Sequence, residues 1–281
     1  MATPQPNLPI AVFDSGVGGL TVLHECLVWL PHEDFVYLGD TARFPYGGRS
    51  QAELRRFVLE VGEHLVEREE AKLLVVACNA ATAAGLPALR AALGDRVAVV
   101  GVIDAAARLA AGATQNGRIG LLATPATLES GAYARAIAIS APGAALEEVA
   151  CPKLAPLIQA GGDLDPRVVG LVDEYCEPLI EARVDTVVLG CTHYPLVRSV
   201  VQRALGRGVM LVSSGEAIAD EVERELAARG LDNTAGRRGS YRFLCTGPVD
   251  DFHSLAARSL GLPVEDVAHA ELDSLPGVRA A

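Results

Sequence analysis

Short apolar runs alternate along most of the chain with segments of helical periodicity. Eight short runs are apolar, most of them continuously, which predicts strands buried on both faces of a sheet. They are residues 10–13, 35–38, 73–77, 97–100, 119–122, 186–189, 209–212 and 241–244. Between them, stretches such as 51–70 and 167–183 place apolar residues at 3.6-residue spacing, which predicts amphipathic helices. This order predicts an α/β fold with mainly parallel sheets flanked by helices.

Two cysteines stand at matching places in this pattern, each just after an apolar strand. Residues 73–82 read LLVVACNAAT, and residues 186–196 read TVVLGCTHYPL. Both segments pass from a strand to a small residue, a cysteine, a polar residue and the predicted start of a helix. A lone free cysteine is most often a core residue, but the shared context of Cys78 and Cys191 indicates a shared function. The other cysteines lack that context and are interpreted as core: Cys26, Cys151, Cys176 and Cys245.

Two thiols at strand ends can flank one ligand, because ligands of parallel sheets bind beyond the C-terminal strand ends. A thiolate, stabilised by a helix N-terminus, can remove a proton while the opposite thiol donates one, which inverts a carbon centre. A metal site is another interpretation, although Cys191 and His193 supply only two ligands. A hydrolase with Cys191 as nucleophile and His193 as base is a third, but it leaves Cys78 without a role.

The first two strands also end in polar and glycine-rich segments. Residues 13–20 read FDSGVGGL, which places a carboxylate and a hydroxyl, Asp14 and Ser15, at the sheet edge. The glycines let the backbone approach a ligand closely. The segment lacks the pattern of a phosphate loop or a dinucleotide turn, so a nucleotide site is weakly supported. Residues 39–48, GDTARFPYGG, start from the same edge and are predicted to line the site.

Composition excludes several classes of protein. The 281 residues are 50% hydrophobic and carry a net charge of −11, with no run rich in lysine or arginine. Neither a nucleic-acid surface nor a membrane surface is expected from this balance. No signal peptide is visible at the N-terminus, and no apolar stretch is long enough to span a bilayer. Six cysteines without paired spacing fit a reducing cytoplasm, so we expect a soluble cytoplasmic protein.

Taken together, these motifs resemble the glutamate racemase family of cofactor-independent amino-acid racemases. The matching segments are 13–20, 39–43 with 45–47, 77–79 (ACN) and 190–196 (GCTHYPL). Weaker matches are 121–127 (LLATPAT) and 151–157 (CPKLAPL). The resemblance covers residues 8 to about 200 well and the remainder poorly.

The resemblance implies a racemase that interconverts L- and D-glutamate and supplies the D-isomer for peptidoglycan precursors. Cys78 and Cys191 would be the two proton donors and acceptors, assisted by Asp14 and His193 respectively. The residues that would hold the amino acid are Asp14, Ser15, Tyr46, Gly47, Asn79, Ala80, Thr192 and His193, with Thr124 and Thr127 as weaker additions. The family uses no pyridoxal phosphate, metal or nucleotide, and a homodimer is typical of it.

The lysines independently disfavour a pyridoxal-dependent racemase, which needs a Schiff-base lysine in its pocket. The chain has only Lys72 and Lys153. Lys72 precedes a strand at the end opposite to Cys78, and Lys153 lies in a proline-flanked segment without a cofactor motif. We therefore expect no cofactor, and stabilisation of the carbanion by preorganised dipoles in a closed cleft.

The cleft is predicted between two similar α/β lobes, the first made of residues 1–98 and 209–281 and the second of 99–208. One departure from the family pattern stands in it, because position 80 is alanine where the pattern usually has threonine. The lost hydroxyl puts substrate affinity in doubt and leaves open a protein that binds glutamate without turnover. Aspartate racemases are the nearest alternative, but they typically carry glutamate at the position of His193.

Overall fold

The computed structural model describes residues 5–161, 165–260, 264 and 266–272. Residues 1–4 and 273–281, at the two ends of the predicted first lobe, therefore lie outside the described residues. Residues 1–4 also begin the N-terminal segment for which no signal peptide is predicted. Among the described helices, none combines the length and the apolar character that crossing a bilayer demands.

Ten strands occur in the described residues, and every strand pair is parallel. They are β1 Ile10–Asp14, β2 Phe35–Gly39, β3 Leu73–Val76, β4 Ala98–Gly101, β5 Arg118–Ala123, β6 Ala145–Ala150, β7 Thr186–Gly190, β8 Met210–Ser213, β9 Tyr241–Cys245 and β10 Val267–His269.

Eleven α-helices connect and cover these strands in the described residues. They are α1 Leu20–Trp29, α2 Gln51–Glu67, α3 Asn79–Leu93, α4 Val102–Ala113, α5 Pro125–Glu129, α6 Ala132–Ser140, α7 Leu154–Gly161, α8 Pro166–Glu181, α9 Arg198–Leu205, α10 Ser214–Arg229 and α11 Val249–Leu260. Short 3₁₀ helices occupy Thr41–Arg43, Tyr46–Gly48, Gly94–Arg96 and Tyr194–Val197.

The strands form two sheets, one for each lobe. The first has six strands in the order β10-β9-β2-β1-β3-β4, and the second has four in the order β6-β5-β7-β8. Alternate residues of β1 face opposite sides of the first sheet, with Ile10 and Val12 packed in one core and Ala11 and Phe13 in the other. The two lobes of parallel sheet flanked by helices confirm the predicted fold class.

The chain passes from one sheet to the other a few residues later than the predicted lobe boundaries at 98/99 and 208/209. Strand β4 pairs with β3 and so belongs wholly to the first sheet. Strand β8, predicted to restart the first lobe, pairs instead with β7 in the second sheet. Both strands are continuously apolar, and hydrophobicity alone does not reveal which neighbour a parallel strand pairs with. The crossovers therefore follow Gly101 and Ser213.

Two strands were missed by the hydrophobic pattern, and both lie at sheet edges. In β6, Glu147 and Glu148 stand in the middle of the strand, and most of its side chains reach solvent. Strand β10 is only three residues long, and none of its residues is buried. Strands β4 and β8 also lie at sheet edges but are almost entirely buried, whereas β6 and β10 are largely open to solvent and therefore lack the apolar run that predicted the other eight.

Capping side chains fix the first residue of each of the two helices that the periodicity predicts. Helix α2 begins after Ser50, whose hydroxyl accepts from the Glu53 N–H while the Glu53 side chain accepts from the Ser50 N–H. This reciprocal capping box satisfies two N–H groups that have no partner within the helix. Helix α8 begins at Pro166 after Asp165, whose carboxylate accepts from the Arg167 N–H. Both helices follow the predicted ranges to within a few residues.

Lys72 lies at the end of β3 opposite to the cleft, where its side chain is fully buried. Its ammonium donates to Oε2 of Glu33 at 2.5 Å, to the Pro6 carbonyl at 2.5 Å and to the Leu231 carbonyl at 2.8 Å. All three donor positions of the ammonium are thereby used. Lys72 therefore ties the N-terminal segment and the end of α10 to the first sheet, far from the candidate site.

Candidate active site

A cavity of about 440 Å³, including its open mouth, lies between the C-terminal strand ends of the two sheets. The predicted residues that line it are Ser15, Tyr46, Gly47, Cys78, Asn79, Ala80, Thr124, Thr127, Cys191, Thr192 and His193. The other lining residues are Phe44, Pro45, Gly48, Pro152, Ala155, Pro156 and Gly190. The structure thus brings the two cysteines of the repeated pattern to one cavity.

Cys78 enters the cavity from the first lobe, as the N-cap residue of α3. Its sulfur lies 3.9 Å from the Ser15 hydroxyl oxygen. Burial is the main cause that raises the pKa of the Cys78 thiol well above its usual range, and the negative charge of Asp14 raises it further. The Ala81 N–H and the Ser15 hydroxyl act in the opposite direction. Without a ligand, Cys78 is therefore a neutral thiol at physiological pH.

Cys191 enters from the second lobe, directly after β7. Burial raises the pKa of its thiol to about 12, and the Asp14 charge adds to this shift. The predicted helix start after Cys191 is wrong in detail, because a 3₁₀ helix, Tyr194–Val197, intervenes before α9. Cys191 consequently lacks the long helix behind it that Cys78 has.

Asp14 lies just behind the cavity wall, at the end of β1, and is fully buried. Its Oδ2 accepts from the Gly16 N–H at 3.0 Å, and its Oδ1 accepts from the Thr192 hydroxyl of the other lobe at 3.1 Å. Its charge raises the pKa of both cavity thiols. A carboxylate placed in this way disfavours two thiolates and attracts a cation between them.

His193 lies beside Cys191, with Nδ1 at 4.0 Å from the sulfur. Its other nitrogen, Nε2, lies 3.0 Å from Oε1 of Gln159 on α7. Because an amide oxygen only accepts, Nε2 carries the proton and Nδ1 has a free lone pair toward the thiol. Burial lowers the pKa of His193, which keeps the ring neutral. Its ring also packs against Phe44 of the first lobe, with centroids 5.5 Å apart.

Asn79 is the first residue of α3 and is almost fully buried. Its Oδ1 accepts from the Tyr133 hydroxyl at 2.7 Å, and the Ser214 hydroxyl lies 3.4 Å from the same oxygen. Its Nδ2 has no hydrogen-bond partner within the described residues. An unpaired buried amide group costs free energy unless a ligand satisfies it. Asn79 therefore offers the cavity a donor ready for an anionic group.

Tyr46 and the two threonines form the rest of the polar wall. The Tyr46 hydroxyl donates to Asp40, so the ring lines the cavity while its polar tip is already paired. Arg43 donates to the same Asp40 oxygen at 2.6 Å. The hydroxyl oxygens of Thr124 and Thr127 lie 3.0 Å apart and pair with one another. Contacts from Tyr46 to a ligand are thus expected from the ring or backbone.

Comparison with known proteins decides the family of this chain. The family model described as Asp/Glu/Hydantoin racemase matches residues 25–222. The chain belongs to this family. A glutamate racemase from Beutenbergia cavernae is 47% identical over 274 residues, covering 94% of this chain and 93% of its own length.

Solved structures agree with this assignment. A glutamate racemase isoform from Bacillus anthracis matches with a TM-score of 0.90 and 38% identity, over 95% of this chain and 99% of its own. The glutamate racemase from Francisella tularensis, solved in complex with D-glutamate, has a TM-score of 0.88 and 30% identity, over 96% of this chain and all of its own. The resemblance read from the motifs is confirmed, and the chain is an isomerase of the glutamate racemase type.

The two lobes of this racemase touch closely around the cavity because glycines allow it. A Cβ added to Gly18 would lie 2.5 Å from Nδ1 of His193 and 2.6 Å from the Thr192 hydroxyl oxygen. A Cβ added to Gly47 would lie 2.7 Å from Cβ of Thr124. Real Cβ atoms do not approach other atoms so closely, so both positions require glycine in the observed closed arrangement. The glycine-rich segments after β1 and β2 therefore serve contact between the lobes.

Three residues of the candidate site were missed from the sequence: Gln159, Tyr133 and Ser214. Gln159 follows the weak motif at 151–157 by two positions, which was the only signal near it. Tyr133 and Ser214 stand on α6 and α10 and approach Asn79 from behind, so neither lines the cavity. Side chains that act through another side chain leave no mark in hydrophobic periodicity, because their partners are distant along the chain.

Proposed function

We propose that this racemase interconverts L- and D-glutamate by proton transfer between the substrate and two cysteines, Cys78 and Cys191. The observation that carries the proposal is that two thiols from different lobes line one cavity, with the Asp14 carboxylate affecting both. A two-base racemase needs an acid and a base on opposite faces of the reacting carbon. Lobes that meet around a ligand supply such opposite faces.

Asp14 supports binding of the substrate ammonium. The ammonium is the part of an amino acid that a buried carboxylate attracts, so we place it on the side of the cavity nearest Asp14. The carboxylates match the donors of the cavity. These are the Asn79 amide, the Ser15 hydroxyl and the backbone N–H groups at the start of α3. Ala80 contributes its backbone only.

The proton transfers balance as follows for either direction. The thiolate of one cysteine takes the α-hydrogen, so the C–H bond breaks and an S–H bond forms. The electron pair stays on the substrate and is delocalised into the α-carboxylate, where the backbone N–H groups at the start of α3 stabilise the added charge. The opposite thiol then gives its proton to the other face of the carbon and becomes the thiolate. The next turnover starts from the opposite enantiomer, or from the same one after the thiols exchange protons with water.

Formation of the thiolate requires compensation for burial and for the Asp14 charge. The substrate ammonium supplies it, since a positive charge near both sulfurs lowers both thiol pKa values. Neutral His193 supports Cys191 further, because its unprotonated Nδ1 can accept the thiol proton. The empty site thus holds neutral thiols, and the bound site favours one thiolate.

A second candidate is a hydrolase of small amides, which the proximity of Cys191 and His193 favours. Aspartate racemisation is a third, because the same thiols would serve a shorter substrate. Two considerations favour glutamate. The hydrolase gives Cys78 no role, and the relatives described above from Beutenbergia cavernae, Bacillus anthracis and Francisella tularensis are glutamate racemases, the last solved in complex with D-glutamate.

Circular dichroism of L-glutamate, D-glutamate and L-aspartate with the purified protein tests the proposal. We expect both glutamate enantiomers to lose optical activity without added cofactor, and to exchange the α-hydrogen in deuterium oxide. Loss of signal with aspartate alone would contradict the glutamate assignment. An acyl-enzyme trapped on Cys191, with no racemisation, would favour the hydrolase.

Single variants test the two-thiol mechanism. Cys78→Ala and Cys191→Ala should each abolish racemisation, whereas the matched control Cys26→Ala, buried on α1 away from the cavity, should retain it. Each active-site variant keeps one thiol, so any remaining deuterium exchange should affect one enantiomer, and the opposite one in the other variant. Wild-type turnover in either variant would overturn the mechanism.

The family resemblance extends the proposal to the cell. We expect the D-glutamate to enter peptidoglycan precursors, the enzyme to work in the cytoplasm, and two copies of the chain to form a homodimer. The mass of the protein in solution, measured by light scattering, tests the last point. Depletion of the protein in its host should be relieved by supplied D-glutamate if the first point is right.

A further inference from the structure

The Asn79 side chain is held from one side only. Its carbonyl oxygen faces the hydroxyls of Tyr133 and Ser214, and its amide nitrogen has no protein partner within the described residues. An amide has two nearly equal-sized ends, one a donor and the other an acceptor. The group that grips the oxygen therefore decides which end faces the cavity.

Tyr133 reaches Asn79 across the boundary between the lobes. It is the second residue of α6, which follows Gly131, a residue with φ of +64° that turns the chain into the helix. Its ring is buried in the second-lobe core together with Ile137. Asn79 belongs to α3 of the first lobe, and Ser214 opens α10 directly after the second crossover. Three segments thus converge behind one amide.

We propose that Tyr133, assisted by Ser214, is a positioning residue that turns the Asn79 amide donor into the cavity and makes substrate binding depend on contact between the lobes. The inference rests on the proposed function, because it assumes that the cavity receives the carboxylates of glutamate. The Tyr133 hydroxyl donates to Oδ1, so Nδ2 must face the opposite way, toward the ligand. When the lobes separate, this hydrogen bond breaks and the amide is free to rotate.

The proposal predicts a specific kinetic effect. In Tyr133→Phe the ring remains and the hydroxyl is lost, so the amide can present its oxygen to a substrate carboxylate. Loss of a hydrogen bond to a charged group corresponds to a decrease in affinity of about tenfold or more. We expect KM for both enantiomers to rise by about that factor, with kcat within about twofold, because the interaction is equal in ground and transition states.

Two backgrounds and a control isolate the effect. In Asn79→Ala, the further change Tyr133→Phe should have no additional effect on KM, because the amide it positions is gone. Ser214→Ala should cause a smaller rise than Tyr133→Phe, since its hydroxyl is 3.4 Å from the oxygen. Tyr175→Phe, on α8 outside the cavity lining, is the matched control and should leave KM unchanged.

Calorimetric titration with L-glutamate separates this inference from the proposed function. If the wild type binds glutamate about tenfold tighter than Tyr133→Phe but does not racemise it, the inference stands and the racemase proposal fails. If racemisation is normal and Tyr133→Phe leaves both KM and Kd unchanged, the inference is overturned. An equal effect of Tyr133→Phe with and without Asn79 would also overturn it, because it would show a general structural role.

Discussion

Replacing Gly18 with alanine would place a methyl group 2.5 Å from Nδ1 of His193 and 2.6 Å from the Thr192 hydroxyl oxygen. The backbone of Gly18 lies outside the left-handed region, so alanine can adopt its conformation. Any effect of the substitution must therefore arise from contact with the second lobe. The added methyl would act as a wedge between the loop after β1 and the segment that carries Cys191.

The expected magnitude follows from that overlap. Ordinary contact begins near 3.4 Å, so the second lobe or the His193 ring must move by about 1 Å. A misplacement of this size in a proton-transfer site lowers the rate by about 100-fold, or about 2.7 kcal/mol of barrier. The free energy of unfolding should fall by only about 1–3 kcal/mol, as for other overpacked sites.

The assay is the rate of loss of circular dichroism with each glutamate enantiomer, together with thermal unfolding. The two enantiomers have equal free energy in water, so kcat/KM must fall by the same factor in both directions. Gly112→Ala is the matched control, because its added Cβ meets nothing within 4 Å and lies in an exposed turn of α4. It should keep full activity and gain about 0.5–1 kcal/mol from helix propensity.

Wild-type kcat/KM in Gly18→Ala, with a folded protein, would refute the argument that close contact of the lobes at His193 is needed for turnover. If Gly18→Ala does not fold, Gly47→Ala tests the same argument, because its methyl group would press on Thr124 from the other side of the cavity. If both glycine variants keep wild-type activity, the reaction takes place in a more open arrangement of the two lobes.

Three further predictions concern buried polar groups. Gln159→Leu should lower kcat about tenfold at unchanged melting temperature, since His193 loses the acceptor that fixes its tautomer. Gln159→Glu keeps an acceptor and should retain the wild-type kcat. Equal kcat values in the wild type and both variants would contradict this. Lys72→Met should lower the free energy of unfolding in urea by about 3–5 kcal/mol, because Glu33 is left as a buried charge. The double variant Lys72→Met with Glu33→Gln should recover part of that stability. No recovery would count against the charge argument. Burial lowers the pKa of His193, so below about pH 6.5 the unfolded chain binds more protons than the folded chain. The free energy of unfolding should therefore fall as the pH decreases from there, and His193→Asn should flatten that slope.

The sequence predicted the mostly buried strands well, including β4 and β8 at sheet edges, because burial on both faces leaves an apolar run. It failed at β6 and β10, where solvent on one side allows residues such as Glu147 and Glu148. It also put β8 in the wrong lobe, because pairing with β7 depends on the path of the chain between strands and not on the apolar run itself.

The candidate site was predictable where a motif marks a strand end. Cys78 and Cys191 were found because their contexts repeat, and the cavity contains both. Gln159 and Tyr133 were not found, because each acts on a partner more than thirty positions away and presents no reactive group to the ligand. Their roles become visible only when distances between side chains are known.

The second lobe is inserted into the first, so the six-stranded sheet takes the two strands at one of its edges, β9 and β10, from residues that follow the insertion. Strand β2 pairs with β1 on one side and with β9, from Tyr241 onward, on the other. A nascent chain that has emerged only as far as α10 therefore carries β2 with its outer hydrogen-bonding groups unpaired, a template for intermolecular aggregation. Newly made protein should depend on chaperones until β9 and β10 leave the ribosome, and chains stopped before Tyr241 should be cleared or precipitate.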